Sequence, residues 1–124
     1  SGIADIIAAW IQQAAVPALL AGWLVAVAVR LATGSATVAT ITAAGIMAPL
    51  VTHMPQTEVA LLVLAIGAGS VFLSHVNDAG FWLVKEYFGM TVGQTFKTWS
   101  LMETILSVVA MATVSLLALA LGVL

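Results

Sequence analysis

Apolar residues in this chain come in blocks separated by short polar clusters, and most blocks have the length of a short helix. In 3–13, Ile3, Ile6, Ile7, Trp10 and Ile11 recur at helical spacing against Asp5, Gln12 and Gln13. The pattern predicts an amphipathic helix at a membrane interface, or the end of a preceding span, over 1–16. A helix docked on the rest of the protein fits it equally. Pro17 opens the next helix, because a proline in the first turn gives up an N–H that has no helical partner anyway. Residues 17–32 are apolar except for Arg30, and as helix they reach only about 24 Å at about 1.5 Å per residue. Thr33-Gly34-Ser35-Ala36-Thr37 is small and polar, and the short apolar stretch 38–48 after it is stopped by Pro49. Two short arms around such a tip predict a re-entrant hairpin over 17–49. Non-helical backbone at that depth is tolerated only where protein or water covers it.

An interfacial connection, 50–57 (LVTHMPQT), leads to a strongly apolar helix over 58–73, again about 24 Å long and short of a full crossing of about 30 Å. It runs into Ser74-His75-Val76-Asn77-Asp78-Ala79-Gly80, the most polar stretch of the chain, after which 81–88 resumes a helical pattern. We read 57–88 as one transmembrane helix broken near its middle. A break leaves N–H and C=O groups facing the gap, which is how transporters build substrate and ion sites. A mixed connection, 89–100, carries Lys97 and Trp99 as interface anchors. Residues 104–124 are free of charge and about 31 Å long as helix, so 96–124 is predicted to hold a continuous final span. The fold class is therefore all-α integral membrane: re-entrant hairpin, broken helix, final transmembrane helix.

Composition strengthens the membrane reading. The chain has 124 residues, 63% hydrophobic and 6% charged, where a soluble domain is about 25% charged. Between and after its charges lie uncharged runs of 24, 27, 19 and 21 residues, matching the roughly 17–25 residues of a spanning helix. A net charge of −2 with three cationic side chains excludes a nucleic-acid partner. The absence of cysteine removes disulfide, thiolate and the usual zinc chemistry. Residues 1–16 lack the positive region of a signal peptide, and Ser1 in place of an initiator Met is read as the sign of a processed, trimmed or excised chain. Lys85 and Lys97 favour a cytoplasmic side for 85–100.

Candidate chemistry gathers at the tip and the break. Asp78 is an acid at membrane depth, functional by default where it faces a cavity: a proton carrier or substrate-binding group, or else the cap of the following half-helix. His75 can give and accept a proton, or be a simple hydrogen-bonded core histidine. Ser74 and Asn77 offer neutral groups for the hydroxyls of a sugar-like ligand. Two ligands at i and i+3, His75 and Asp78, are too few for a metal site. Arg30, the only arginine, either holds a carboxylate at the hairpin tip or snorkels to the interface. Lys85, Glu86, Lys97 and Glu103 read as surface or interface charges, Glu103 with a leaning to a structural pair. The four tryptophans read as belt or packing residues. No nucleophile with a paired base and no cofactor fingerprint is present, so the chain is not expected to be an enzyme.

Three blocks, 30–39 (RLATGSATVA), 74–87 (SHVNDAGFWLVKEY) and 94–105 (QTFKTWSLMETI), resemble the gluconate permease (gluconate:proton symporter) family, in order and spacing, over essentially all of the chain. The resemblance implies one repeat, the C-terminal one, of an inverted-repeat transporter of the ion-transporter superfamily, in a bacterial inner membrane and crossing it several times. It implies a substrate site for gluconate or a related small hydroxy acid where the tip meets the break; there we expect Arg30, Gly34, Ser35, Thr37, Ser74 and Asn77 to bind substrate, and His75 or Asp78 to carry the coupling proton. No cofactor is implied. The partners are the substrate, a proton, the lipid bilayer, and either further copies of the chain or a second half-transporter. The alternative is a small membrane module that assembles with or regulates a full-length transporter in place of its own repeat.

Overall fold

The computed structural model describes residues 2, 3, 6 and 18–122. The helix expected over 1–16 lies outside the described residues except at positions 2, 3 and 6. Six α-helices and one π-helical turn follow: α1 (Ala18–Thr33), α2 (Ala36–Val51), α3 (Gln56–Ser70), α4 (Ala79–Tyr87), α5 (Val92–Thr95), the π-turn Phe96–Ser100, and α6 (Leu101–Ala120).

The helix α3 is central, packed between α1 and α6, with α2 folded back along α1. Its buried residues, among them Leu61, Leu62, Ala65, Ile66 and Gly69, face both sides as a sandwiched helix requires. The neighbours offer single stripes: Leu19, Gly22, Ala26 and Arg30 on α1, Ala39, Ala43, Met47 and Leu50 on α2, and Glu103, Ser107, Met111, Val114 and Ala118 on α6. These spacings of three and four residues trace one face of a helix. Small residues bring the backbones close. At Gly69 a Cβ would stand 2.5 Å from the Trp23 carbonyl oxygen, so any larger residue would push α1 and α3 apart. Ser107 ties the layers together, donating to the Ala68 carbonyl at 2.6 Å and accepting from Trp23 Nε1 at 3.1 Å.

Helix ends differ from expectation, and the mixed connection expected over 89–100 is helical from Val92 onward. Pro49 lies inside α2, which continues to Val51. The missing proline N–H and the steric clash concern only the carbonyl four residues back, here that of Gly45, which carries no side chain and is exposed; Leu50 and Val51 keep their own N–H groups. The helix α3 stops at Ser70 rather than near residue 73, and Leu73 takes a left-handed φ of 41°, a conformation that costs a non-glycine residue on the order of 1–2 kcal/mol. The run Val92–Ala120 is a single apolar helix of 29 residues, long enough to cross a membrane.

Candidate functional site

The tip between α1 and α2 and the non-helical segment 71–78 between α3 and α4 interlock. Gly34 has φ +71°, and a Cβ there would overlap the Asn77 backbone carbonyl; only glycine allows both the turn and the approach. From the other side, the side chains of His75 (Nε2, 3.1 Å) and Asn77 (Nδ2, 3.0 Å) reach the carbonyl of Leu31 in the last turn of α1. Such a carbonyl has no helical partner of its own, so these side chains close the end of α1. The bond at His75 requires the proton on Nε2.

Arg30 ends the buried stripe of α1, with 4% of the residue exposed. It donates from Nη1 to the Gly34 carbonyl at 2.9 Å and from Nη2 to Asp78 Oδ2 at 2.7 Å. It therefore does not snorkel, and the carboxylate that it grips is internal and held through one nitrogen rather than a two-pronged fork. Asp78 also accepts from Ser74 Oγ at 2.5 Å and, through Oδ1, from the Gly80 N–H at 2.9 Å, so it caps α4 while it neutralises Arg30. Ser74 is fully buried behind this pair. Its hydroxyl accepts from Trp99 Nε1 at 2.9 Å, and its carbonyl accepts from Ser100 Oγ. Two consecutive residues address one serine because they lie in the π-turn, whose wider winding changes which side chains face inward; such turns recur at functional sites.

Beside the pair lies a cavity of about 440 Å³. Five of the eight residues singled out in the sequence border it: Arg30, Gly34, Ser35, Asn77 and Asp78. The other three stand elsewhere. Thr37 is exposed, turned off the face of Ser35 because two residues along a helix rotate by about 200°. Ser74 is sealed behind Asp78, and the His75 ring is spent on α1. The first turn of α2, capped by Ser35 through Val38 N at 3.1 Å, and the first turn of α4 both begin at the cavity, with Ala36 and Ala79 on its wall. Two helix N-termini and a guanidinium thus border one space.

The model of the GntP family permeases matches residues 1–120. This chain belongs to that family. It is 58% identical over 121 residues to a gluconate permease of Pseudomonas aeruginosa, which covers 98% of the chain and 27% of the relative. It is 51% identical to a high-affinity gluconate transporter of Escherichia coli, over 87% of the chain and 24% of the relative. To the Gnt-II system L-idonate transporter of Escherichia coli the identity is 48%, over 90% and 25%. The chain thus spans about a quarter of the length of these relatives, which are named as permeases and transporters rather than enzymes. No solved structure matches it.

One residue of the cavity wall differs from its sequence reading. Glu103, read there as a surface or interface charge, is buried, with 9% exposed, and forms part of the cavity wall. It shares a stripe with Ser107, Met111, Val114 and Ala118 on α6, and which face of that helix turns inward is decided by packing against α3 rather than by local sequence. Trp99, read as an interface anchor, is likewise half-buried on Ser74.

Proposed function

We propose that the cavity between the hairpin tip and the break is a substrate half-site for gluconate or a related sugar acid, and that the chain works as one repeat of a proton-coupled transporter in a bacterial inner membrane. The observation that carries this reading is the convergence of the α2 and α4 N-termini with Arg30 on one cavity. Each helix start offers N–H groups and about half a positive charge, so a carboxylate placed there gains hydrogen bonds and field together. Ser35 keeps its hydroxyl proton, since its oxygen is used as acceptor, and Asn77 uses only its NH₂ on Leu31. Both remain able to meet sugar hydroxyls. The volume falls within the roughly 300–1,000 Å³ of small-molecule sites.

In this reading α1 and α2, each 16 residues long and about 24 Å as helix, enter and leave the bilayer from one side as a re-entrant hairpin, while α3 and α4 form the two halves of a broken span. The cavity opens onto the space that a second repeat or a second copy would fill. A coupling proton offsets the charge of the anion and is carried by a carboxylate at the cavity. Asp78 holds Arg30 and the start of α4, and His75 holds the end of α1, so both act as the frame.

The test is titration of the lipid-reconstituted chain with radiolabelled gluconate. Saturable binding that is competed by L-idonate and lost in Arg30→Gln is the expected result. Equal retention of gluconate and an uncharged sugar, or unchanged binding in Arg30→Gln, would remove the proposal.

A further inference from the structure

We propose that Glu103 carries the coupling proton, taking it up when the sugar acid enters and releasing it on the opposite side. The inference rests on the transporter reading above and names the group which that reading leaves open. Three acids or bases stand near the cavity, and two are committed. Asp78 accepts hydrogen bonds from Arg30, Ser74 and Gly80. A proton on it would break the ion pair and leave a buried guanidinium without its counter-charge, which is the most costly state of such a pair. His75 is engaged with the Leu31 carbonyl and lies off the cavity wall.

Glu103 is different. It belongs to the first turn of α6, is buried, and borders the same cavity as Arg30 and Asp78; among the described residues its carboxylate accepts no hydrogen bond. The charged groups acting on it are Arg30 from α1 and Asp78 from the break. The face of α3 packed towards α6 brings apolar and small side chains, with Glu58 at its far end, and Lys97 of the π-turn is exposed.

Charge counting then selects the protonated state. With both acids ionised, Arg30, Asp78 and Glu103 sum to −1. A sugar-acid anion would raise that to −2 in a setting where like charges repel strongly. A proton bound to a Glu103 oxygen forms one O–H bond, brings the protein groups to neutrality, and leaves −1 with the anion in place. Two helix N-termini can balance that remaining charge. When the proton leaves to water on the other side, the anion faces the full repulsion and is expelled with it.

The test begins on the wild-type chain in lipid, without substrate, by infrared absorption. A carboxylic-acid band that grows as pH falls and shifts when glutamate is labelled with carbon-13 is expected. Loss of that band in Glu103→Gln and its persistence in Asp78→Asn assign it to Glu103. A band unmoved by glutamate labelling, no such band, or a band that survives in Glu103→Gln overturns the proposal whether or not gluconate binds. With gluconate added in weak buffer, wild type takes up a proton on binding. Glu103→Gln binds gluconate with no proton uptake and loses at least about tenfold of the accumulation driven by a pH gradient, and Glu103→Asp restores part of both. Full accumulation in Glu103→Gln would also sink the idea, whereas failure of wild type to bind gluconate removes the transporter reading alone.

Discussion

Arg30 and Asp78 sit 48 positions apart and meet at 2.7 Å, with side-chain exposures of 5% and 15%. Removing one partner of a buried pair leaves the other uncompensated, at a cost of roughly 3–5 kcal/mol. Asp78→Asn is therefore expected to destabilise the protein by an amount in that range, and Arg30→Gln/Asp78→Asn together by less than Asp78→Asn alone. Denaturant unfolding of the three variants in detergent, read as a double-mutant cycle, checks this. Arg30→Lys should also lose stability, because an ammonium lacks the planar fork that spans the Gly34 carbonyl and Asp78 at once. The sequence made Arg30 and Asp78 conspicuous as rare charges in apolar surroundings, yet it did not show that they are partners. That depends on a contact between distant segments, which local periodicity cannot encode. Glu103 was hidden for a related reason: its burial follows from which face of α6 packs on α3, and an isolated stretch of sequence reads the same from either face.

At the level of elements, short helices and polar interruptions were legible, and helix ends were not. Gly34 and its hydroxyl neighbours announced a tip, and Ser74–Gly80 announced a break, because glycine, serine, asparagine and aspartate favour turns and caps for identifiable reasons. Pro49 does not stop α2, since it removes only the hydrogen bond to the exposed Gly45 carbonyl and two residues remain to the helix end. What holds tip and break together is the close approach at Gly34, where φ is +71° and the Asn77 carbonyl fills the place of a side chain. Gly34→Ala is expected to cost at least about 1–2 kcal/mol from the left-handed backbone alone, and to separate the α2 and α4 N-termini. Thermal unfolding in detergent reads the first effect. Gluconate binding, expected to fall well below that of a Gly45→Ala control at a site with open space, reads the second. Ser107→Ala tests the other side of the bundle: with Trp23 Nε1 and the Ala68 carbonyl both losing their partner, a loss of about 1–3 kcal/mol is expected from buried polar groups left unpaired.

For the molecule as a whole, the decisive contrast is between its outer faces and its cavity. Ile41 and Leu116 are each 67% exposed and Val63 is 63% exposed, which suits contact with lipid chains and suits water poorly. The cavity, by contrast, joins one cation and two acids along a face that no described part of the chain covers. Lipid cannot take that role, because a charged group in hydrocarbon costs at least about 2.5–3.5 kcal/mol even on insertion scales, and open backbone at that depth needs protein or water over it. Covering the cavity with a second copy of the chain, or with the remainder of a longer permease, satisfies both demands, and the charges then lie between two repeats as transport requires. Native mass spectrometry of the chain released from lipid nanodiscs is accordingly expected to show more than one copy per particle. In the assembled state Glu103 should resist a water-soluble carbodiimide more when gluconate is bound than when it is absent. A single copy per particle, with Glu103 modified at the same rate in both conditions, would mean that neither a second repeat nor a substrate occupies the face on which the transport reading depends.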